Sequence, residues 1–476
     1  MHPYTDEQIT AILTDYYAQE KWLQSLITDP TGSRFFKEKD AATQLRENHA
    51  KMARMRAFLD FAGNPQAAYQ SVHVAGTSGK GSVVMMIAAL LAEAGIKTGH
   101  HTSPYLQICN EKLVLNGRLI TPQQFSALIH EFRQIYTAWQ TQGNFLRYGD
   151  AWVALTYWWY ARQKAEWLVM ETGMGGRYDA TNVLPSSLAV ITNIDFDHMK
   201  SLGGTRASIA QHKAGIIRAN SVTLTAVTDP EALPVIEAEA RQKNSQLLRL
   251  GQDFDYRLHA ADADGFTLSV QTPYRVYDHL WLPLLGTFQA QNAALAVTAV
   301  DILREREGID VGETAVRHIL ANLHLPGRME IMQTNPIVIL DSAHNPHKMQ
   351  ALAHSIKTFF PEKHVTVIMG VLVSKNSRPM VEAIATVADR FVMTEPNVLG
   401  KPAIPAAQLV DYAQNAAPAT VVSNIKSVGA AIDLVLANSN PADIIIIAGS
   451  LYLAGEARDY WRPRQVLLRQ LAASKR

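Results

Sequence analysis

Residues 71–82 read Ser71-Val72-His73-Val74-Ala75-Gly76-Thr77-Ser78-Gly79-Lys80-Gly81-Ser82, a glycine-rich segment between two apolar runs. The run before the glycines has the composition of a β-strand, and the run from Ser82 to Ala94 has the length of a helix. In such an arrangement the first N–H groups of the helix point at an anion, and Lys80 adds a cation for outer phosphates. The segment therefore predicts a phosphate loop for a nucleoside triphosphate.

The loop departs from the general phosphate-loop pattern at two positions. Val74 stands where the first glycine is expected, and Gly81 follows the lysine where Ser or Thr would ligate Mg²⁺. An ordinary strand-to-helix turn with an incidental lysine is the alternative interpretation. A second glycine cluster at residues 173–176 lacks the G-x-G-x-x-G spacing and a following helix, so it is rejected as a dinucleotide site.

Short β-rich runs alternate with helix-length runs on both sides of a Pro-Gly interruption at residues 325–328. This alternation is typical of βαβ units around a mostly parallel sheet. We expect an α/β protein with a domain over residues 1–325, of which 1–62 form a helical N-terminal extension, and a second domain over residues 326–476. A cleft between two such domains is a common place for ligands.

Composition restricts the classes of partner. The 476 residues carry 44 Lys and Arg against 43 Asp and Glu, and this net charge of +1 gives no basic field for nucleic acid. Cys109 is the single cysteine, which excludes an internal disulfide and a cysteine-ligated cluster and favours a cytoplasmic location. The N-terminal residues lack a signal-peptide pattern, and the apolar runs fall short of the roughly 20 residues that span a bilayer. No nucleic acid, no membrane and a monomeric state are expected.

Further motifs follow the phosphate loop in a fixed order. They are Thr102-Ser103-Pro104-Tyr105-Leu106, the segment 171–182 from Glu171 to Asn182, Asp197-His198, His212-Lys213-Ala214-Gly215-Ile216, Leu325-Pro326-Gly327-Arg328, Asp341-Ser342-Ala343-His344-Asn345-Pro346 and Gly449-Ser450-Leu451-Tyr452-Leu453. Together they resemble the folylpolyglutamate synthase and dihydrofolate synthase family of the Mur ligase superfamily. The resemblance implies an N-terminal P-loop ATPase-type Mur ligase domain and a C-terminal Rossmann-like glutamate ligase domain.

The resemblance also implies a reaction and its reactants. A ligase of this family would use ATP and Mg²⁺ to convert a substrate carboxylate into an acyl phosphate, which the amino group of L-glutamate attacks. The acceptor would be a folate, with dihydropteroate as a further substrate of a bifunctional enzyme. Such chemistry needs a phosphate cradle, a divalent cation and rigid positioning of two anionic reactants.

Individual roles follow from matching motif positions. The resemblance places the loop residues at the ATP phosphates, namely Gly76, Thr77, Ser78, Gly79, Lys80, Gly81 and Ser82. It places Asn292 with Gln289, Arg328 and Asp341 at the nucleotide, and Ser103, Glu171 and His198 at magnesium. It places Asp179 and Ala180 at the pterin-bearing substrate, and Lys375 and Ser450 near the incoming glutamate. It assigns catalytic roles to Lys80, to His344 and to Lys213, which matches a lysine that the family carbamylates.

Each of these residues has a simpler interpretation when taken singly. Ser103 before Pro104 suits a turn, Glu171 after an apolar run suits an ion pair, and Lys213 suits a helix surface. The chain also departs from the family where Gly149-Asp150 stands in place of a usual Phe-Glu, so an aromatic expected near the pteridine is missing unless Tyr148 substitutes. The identity of the acceptor is thus left open.

Three alternatives remain beside the folate ligase. A peptidoglycan-precursor ligase of the same superfamily would more typically have Thr directly after the loop lysine, where this chain has Gly81. A P-loop kinase or ATPase would not need the motifs after residue 325. A non-enzymatic nucleotide-binding module would keep the fold without the reaction.

Overall fold

The computed structural model describes residues 4–37, 40–141 and 143–474, and over these ranges the strands form three sheets. Helices α1 (Asp6–Gln24) and α2 (Ala41–Phe61) precede the first sheet, within the expected helical extension. Thr5 caps α1 by accepting a hydrogen bond from Gln8 N, while the Gln8 side chain accepts one from Thr5 N. This reciprocal capping box satisfies two N–H groups that have no partner inside the helix.

The first sheet has eight strands in the order β4-β3-β2-β5-β1-β6-β7-β8. The strands are β1 (Gln70–Ala75), β2 (Thr98–His101), β3 (Val114–Leu115), β4 (Arg118–Leu119), β5 (Trp167–Glu171), β6 (Leu188–Ile191), β7 (Val222–Thr225) and β8 (Gln246–Arg249). Pairing is parallel except at the short edge strands β3 and β4. Strand β1 lies centrally between β5 and β6, so the segment after β1 emerges in the middle of the sheet.

Helices cover both faces of this sheet, as the alternating pattern predicts. They are α3 (Lys80–Glu93), α4 (Pro122–Gln140), α5 (Tyr148–Arg162), α6 (Met199–Leu202), α7 (Arg206–Ala214) and α8 (Leu233–Gln242). Helix α3 packs into one core with later helices, whereas α4 and α5 pack into another with the N-terminal extension. The mixed α/β fold class is thereby confirmed for the first part of the chain.

An antiparallel sheet follows that the alternating pattern does not predict. It has three strands, β9 (Asp255–Asp262), β10 (Gly265–Gln271) and β11 (Val276–Leu282). The inward side chains of β10 and β11, such as Phe266 and Leu280, join the core of α3. Helices α9 (Phe288–Glu307) and α10 (Glu313–Ala321) come next, and α9 is buried along most of its length.

The last sheet has six strands in the order β12-β13-β17-β14-β15-β16, parallel except for the edge strand β12. Its strands are β12 (Glu330–Thr334), β13 (Ile337–Leu340), β14 (Val365–Met369), β15 (Arg390–Met393), β16 (Val421–Asn424) and β17 (Ile444–Ala448). Its helices are α11 (Pro346–Phe359), α12 (Ser377–Ala385), α13 (Ala406–Ala416), α14 (Val428–Ala437) and α15 (Leu451–Trp461). This arrangement confirms a C-terminal α/β unit of mostly parallel strands.

The final helix, α16 (Arg464–Ala473), leaves the last sheet and packs against α1 and α4. Leu468 and Leu471 belong to the core of the N-terminal extension, and Arg469 pairs with Asp6. The chain of the expected second domain therefore ends against the first. Over the described residues, no helix combines the length and apolar character needed to cross a bilayer.

A buried carboxylate joins the two sheets beside the Pro-Gly interruption. Glu330, whose side chain is 1% exposed, accepts hydrogen bonds from Arg458 at 3.0 Å and from Gly327 N at 2.9 Å. Arg458 also donates to Gln107 Oε1 at 2.7 Å, in the loop after β2. Burial acts to raise the pKa of Glu330, but hydrogen bonds from His324 and Arg458 outweigh it and lower that pKa to about 2. The contact is therefore a charged interdomain clamp.

Candidate active site

The carboxyl ends of four parallel strands meet at one edge of the first sheet. Gly76 follows β1, Glu171 ends β5, Ser103 follows β2 and Asn193 follows β6. Ligands of open α/β sheets bind at this edge, where the strand order changes direction beside β1. The structure thus brings the loop, a carboxylate and a hydroxyl to one place from distant parts of the chain.

Two glycines are required by the shape of the loop. Gly76 has φ +155°, and a Cβ there would lie 1.8 Å from Thr192 Oγ1. Gly79, which precedes α3, has φ +79°, and a Cβ there would lie 2.2 Å from Asn292 Oδ1. Larger residues would clash at both positions and would be strained by the backbone. Asn292, predicted at the nucleotide, lies directly against the turn, and its Nδ2 donates to Gln289 Oε1 at 2.7 Å.

The middle of the loop is tied to the residues after β6. Asn193 Oδ1 accepts hydrogen bonds from Thr77 N at 3.2 Å and Ser78 N at 2.8 Å. Ser78 Oγ is buried and has no hydrogen-bond partner among the residues that the structure describes. Ser82 is buried on the first turn of α3. A buried hydroxyl without a partner costs free energy unless a ligand supplies one. The loop is therefore rigid and has unused hydrogen-bonding capacity.

Two lysines converge on one carbonyl of the loop. Lys80 Nζ donates to Gly76 O at 3.0 Å, and Lys213 Nζ donates to the same oxygen at 2.7 Å. Lys213 is 4% exposed. Its burial, reinforced by the charge of Lys80, holds the pKa of Lys213 well below its ordinary value. The structure places these two predicted catalytic residues together at the loop.

The three residues predicted at magnesium are only partly brought together. Glu171 Oε2 accepts a hydrogen bond from Ser103 N at 3.0 Å, and Glu171 Oε1 lies 3.8 Å from Lys80 Nζ. The imidazole of His198 instead contacts Lys375 Nζ at 3.5 Å. Burial and the charge of Lys375 lower the pKa of His198 to about 4. Among the described residues, no three His, Cys, Asp or Glu side chains form a metal-binding group.

Arg328, in the Pro-Gly segment at residues 325–328 that connects the two domains, lies beside the phosphate loop. An added Cβ on Gly81 would lie 3.6 Å from Arg328 Nη2 and 3.4 Å from Glu171 Oε2, so both side chains flank the start of α3. Arg328 Nη1 donates to Ser342 Oγ and to Gly327 O. A guanidinium at this position suits the oxygens of a phosphoryl group.

Asp341 holds the backbone around this interruption. Its carboxylate accepts hydrogen bonds from Met329 N at 2.9 Å and Ala343 N at 2.7 Å. Burial raises the pKa of Asp341, although Arg328 and these hydrogen bonds act in the opposite direction. Asp341, predicted at the nucleotide, therefore fixes the segment that carries Arg328 and His344.

Residues from both sheets meet at Asp197. Lys375 Nζ donates to Asp197 Oδ1 at 2.8 Å, and Asn345 Nδ2 donates to Asp197 Oδ2 at 3.4 Å. His344 Nε2 lies 3.7 Å from the same oxygen. Burial opposes ionisation, but the charge of Lys375 holds the pKa of Asp197 far below its ordinary range. Asp197 is thus a permanent anion between the domains.

Hydrogen bonds define the tautomer of His344. Nδ1 lies 2.9 Å from Ser342 O, which can only accept, so Nδ1 carries the proton. Nε2 is then free to accept a hydrogen bond from Lys348 Nζ at 3.3 Å. Burial and the charge of Lys348 lower the pKa of His344 to about 3, which keeps the ring neutral.

The predicted pterin residues lie in the segment that follows β5, which forms the predicted acceptor wall. Asp179 accepts hydrogen bonds from Met174 N and from Thr181, and Ala180 begins the short 3₁₀-helix that follows. Burial acts to raise the pKa of Asp179, but the charge of Lys51 and these hydrogen bonds outweigh it and lower that pKa. Asp150 is also buried, and its burial raises its pKa. The positive charge of Lys51 on α2 thus stabilises the carboxylates of the predicted acceptor wall.

Ser450 and Lys375 follow two central strands of the last sheet. Ser450 caps α15 by accepting a hydrogen bond from Leu453 N at 3.0 Å. Lys375 follows β14 and reaches across to Asp197, as described above. Only Lys375 of this predicted pair therefore contacts the first domain through its side chain in the described contacts.

Sequence reasoning assigned no role to Asn193, Asp197 or Lys348. Asp197 belongs to the Asp197-His198 motif, and its place beside a predicted metal ligand is the feature of the sequence that indicates a role. Lys348 follows the helix-capping Asn345, which indicates that its side chain leaves the first turn of α11. Asn193 had no signal, because its role depends on the pairing of β1 with β6.

Comparison with known families agrees with this architecture. The family described as Mur ligase middle domain matches residues 150–300, and the family described as Mur ligase, glutamate ligase domain matches residues 327–451. The two sheets and the phosphate loop thus define a Mur-type ligase. The second match begins at the Pro-Gly interruption and includes Arg328, His344, Lys375 and Ser450.

Relatives and solved structures are similar over nearly the whole chain. Dihydrofolate synthase/folylpolyglutamate synthase of Bacillus subtilis is 32% identical over 413 residues, 86% of this chain and 94% of that protein. The protein of the same name from Mycobacterium tuberculosis is 33% identical over 438 residues, 86% of this chain and 89% of that protein. The chain belongs to the folylpolyglutamate synthase and dihydrofolate synthase family.

Two solved structures extend the comparison to bound ligands. Mycobacterium tuberculosis folylpolyglutamate synthase complexed with ADP has a TM-score of 0.84 and 30% identity, and the match covers 94% of this chain and 99% of that one. E. coli FolC in complex with DHPP and ADP has a TM-score of 0.80 and 26% identity, with 94% and 98% coverage. Similar folds thus bind an adenine nucleotide.

Proposed function

We propose that this chain is an ATP-dependent ligase that adds L-glutamate to a folate, with dihydropteroate as a further possible acceptor class. The observation that carries the proposal is the meeting of Lys80, Arg328 and Glu171 at the start of α3. The folate-named relatives and the ADP-bound structures support it. The peptidoglycan-precursor alternative is not favoured, because these relatives are named for folates.

The reaction begins with a substrate carboxylate. Its oxygen attacks the γ-phosphorus of ATP, the bond from that phosphorus to the β–γ bridging oxygen breaks, and ADP leaves. The loop N–H groups, Lys80 and Arg328 hold the phosphates and neutralise charge on the transferring group. The rigid turn at Gly79 keeps these donors in place without reorganisation.

Amide formation then consumes the acyl phosphate. The neutral amino group of glutamate attacks the acyl carbon, inorganic phosphate leaves, and the new amide nitrogen loses a proton. Lys375 and Ser450 follow the neighbouring strands β14 and β17 of the second domain and are proposed to position the glutamate. His344 is neutral, with a lone pair on Nε2, and its place between the domains suits the orientation of the reacting groups.

Ser103 and Glu171 fit a magnesium ion. Hydroxyl and carboxylate oxygens suit this hard cation, which keeps several waters and phosphate oxygens as further ligands. Bound there, the ion would neutralise charge on the phosphates. His198 would join it only after leaving Lys375, and this rearrangement is part of the proposal.

Lys213 is proposed as a carbamylated residue. Burial favours its neutral amine, the form that reacts with carbon dioxide. The resulting carbamate anion would lie near the ammonium of Lys80, since both side chains now share Gly76 O. Native mass spectrometry should show an added mass of one carbon dioxide, which Lys213→Met would abolish.

The acceptor is proposed to lie along the wall of Asp179 and Ala180. Asp150 extends this wall, because the charge of Asp179 acts on its carboxyl group. The partly buried Tyr148, which packs edge-on against Trp152, is proposed to supply the aromatic ring in place of the missing phenylalanine. A carboxylate in this wall can accept hydrogen bonds from a ring that presents N–H groups.

Phosphate release tests the function directly. Protein with ATP, Mg²⁺ and glutamate should release phosphate when tetrahydrofolate is added, and dihydropteroate tests the second activity. A monomeric state is part of the proposal. Release with neither acceptor nor glutamate would indicate an ATPase, and release only with a uridine-nucleotide muramyl acceptor would overturn the folate assignment.

A further inference from the structure

Lys348 is a cation of the interdomain site to which the reaction described so far gives no role. It lies in the first turn of α11, after the N-cap Asn345, whose Oδ1 accepts a hydrogen bond from Lys348 N at 2.9 Å. Its Nζ reaches His344 Nε2 at 3.3 Å. Because His344 also faces Asp197, the ammonium of Lys348 projects toward the first domain.

This ammonium has no carboxylate partner of its own in the described ranges. Asp197 acts on Lys348 at a distance, but the hydrogen bonds of Asp197 come from Lys375 and Asn345. Among the described residues, Lys348 forms no ion pair with Asp or Glu. Within the described part of the chain, its Nζ has one polar contact, with the neutral imidazole of His344.

The surrounding charges are mostly positive. Burial, then the charges of Lys80 and Arg328, lower the pKa of Lys348 to about 7. Lys80 belongs to the loop and Arg328 flanks it. The two cations that most strongly affect the pKa of Lys348 are therefore the two assigned to phosphate oxygens. A partly buried cation among other cations is unfavourable unless an anion completes the cluster.

Position favours the outermost phosphate as that anion. Lys348 is carried by α11 of the second domain, where the charge of Lys80 acts on it, whereas the inner phosphates would lie against the loop N–H groups of the first domain. A group that approaches from the second domain therefore meets the terminal phosphoryl group first. ADP lacks this group, so the two nucleotides should distinguish the contact.

We infer that Lys348 binds the γ-phosphoryl oxygens of ATP from the second domain and keeps this contact as the group passes to the acyl phosphate. The inference rests on the proposed function, which supplies the nucleotide. In this role His344 Nε2 orients the ammonium before the nucleotide arrives, since its Nδ1 is already committed to Ser342 O.

Calorimetry with ATP and with ADP tests the inference. Lys348→Met should weaken binding of ATP by about tenfold or more while changing the affinity for ADP by less than about twofold, since one charge-assisted hydrogen bond is lost only with ATP. Lys348→Arg should restore most of the difference. The matched control is Lys357→Met, an exposed lysine at the other end of α11, which should alter neither affinity.

The outcomes separate this inference from the function. Equal weakening of ATP and ADP binding in Lys348→Met would indicate a structural role and overturn the inference, while wild-type turnover would leave the ligase function intact. Unchanged affinities of Lys348→Met for both nucleotides would also overturn the inference. Wild-type protein that binds nucleotide but releases no phosphate with any folate would overturn the function alone. Failure of the wild-type protein to bind either nucleotide would overturn both.

Discussion

Lys375 Nζ lies 2.8 Å from Asp197 Oδ1, and this ion pair joins the loop after β14 to the loop after β6. Both side chains are 11% exposed, so water screens the pair only weakly. Asp197 neighbours His198 in sequence, and Lys375 contacts the His198 imidazole. One contact therefore sets both the approach of the two domains and the orientation of a proposed metal ligand.

A double-mutant cycle on this pair should reveal coupling in catalysis. Asp197→Asn and Lys375→Met should each lower kcat/KM, and the double variant should lose less than the sum, with a coupling energy of about 1 kcal/mol or more. Arg378→Met is the control, because its partner Glu382 lies on the exposed face of α12. Strictly additive losses would show that the contact does not act in turnover.

Two glycines that flank α3 provide a matched pair for the phosphate loop. Gly79 and Gly95 have φ of +79° and +81°, but only at Gly79 would a Cβ meet another side chain. Gly95→Ala should cost about 1 kcal/mol of stability and leave ATP affinity intact. Gly79→Ala should in addition displace Asn292 and weaken ATP binding by more than about tenfold. Equal ATP affinities, measured by calorimetry, would contradict the assigned turn.

Removal of one charge should identify the metal ligand. Glu171→Gln should raise the Mg²⁺ concentration for half-maximal turnover by about tenfold or more, because a carboxylate binds this cation far better than an amide. Glu166→Gln, at the exposed amino end of the same strand, should leave the Mg²⁺ requirement unchanged. A requirement that is the same in both variants would exclude Glu171 from the metal site.

Acid should weaken the Glu330 clamp in a defined window. Its pKa falls from an ordinary 4.5 to about 2 in the folded protein, so its contribution to stability is complete above pH 4.5 and is lost as pH falls toward 2. Glu330→Gln should cost about 3 kcal/mol near neutral pH, because Arg458 is left buried without its partner. Urea unfolding should show this difference shrink on acidification, whereas exposed Glu313→Gln should show almost none.

Much of this architecture follows from local sequence patterns. The glycine run at 76–81 predicted a loop before a helix, and the alternation of strands and helices predicted two α/β units, both of which the structure contains. Such features depend on neighbours in the chain, which the sequence shows directly. The three-stranded sheet escaped prediction because β9 is largely exposed and its apolar partners come from distant helices.

Contacts between the domains were beyond sequence reasoning. The pairing of Asp197 with Lys375 spans 178 residues and depends on how two sheets face each other. The same holds for Lys348, because the charges that surround its ammonium belong to residues on other elements. Sequence motifs placed Ser103 and Glu171 together, but they could not show that His198 turns to Lys375.

The return of α16 to the first domain has a mechanical meaning. The polypeptide crosses between the domains near Glu330 and again at Arg462, and Arg462 Nη1 lies 3.5 Å from Glu330 Oε1. Two adjacent crossings act as a hinge, which allows rotation about the line that joins them but little translation. Rotation about this line would have to break contacts elsewhere between the two parts of the chain, such as the hydrogen bond that Gly400 N donates to Pro30 O.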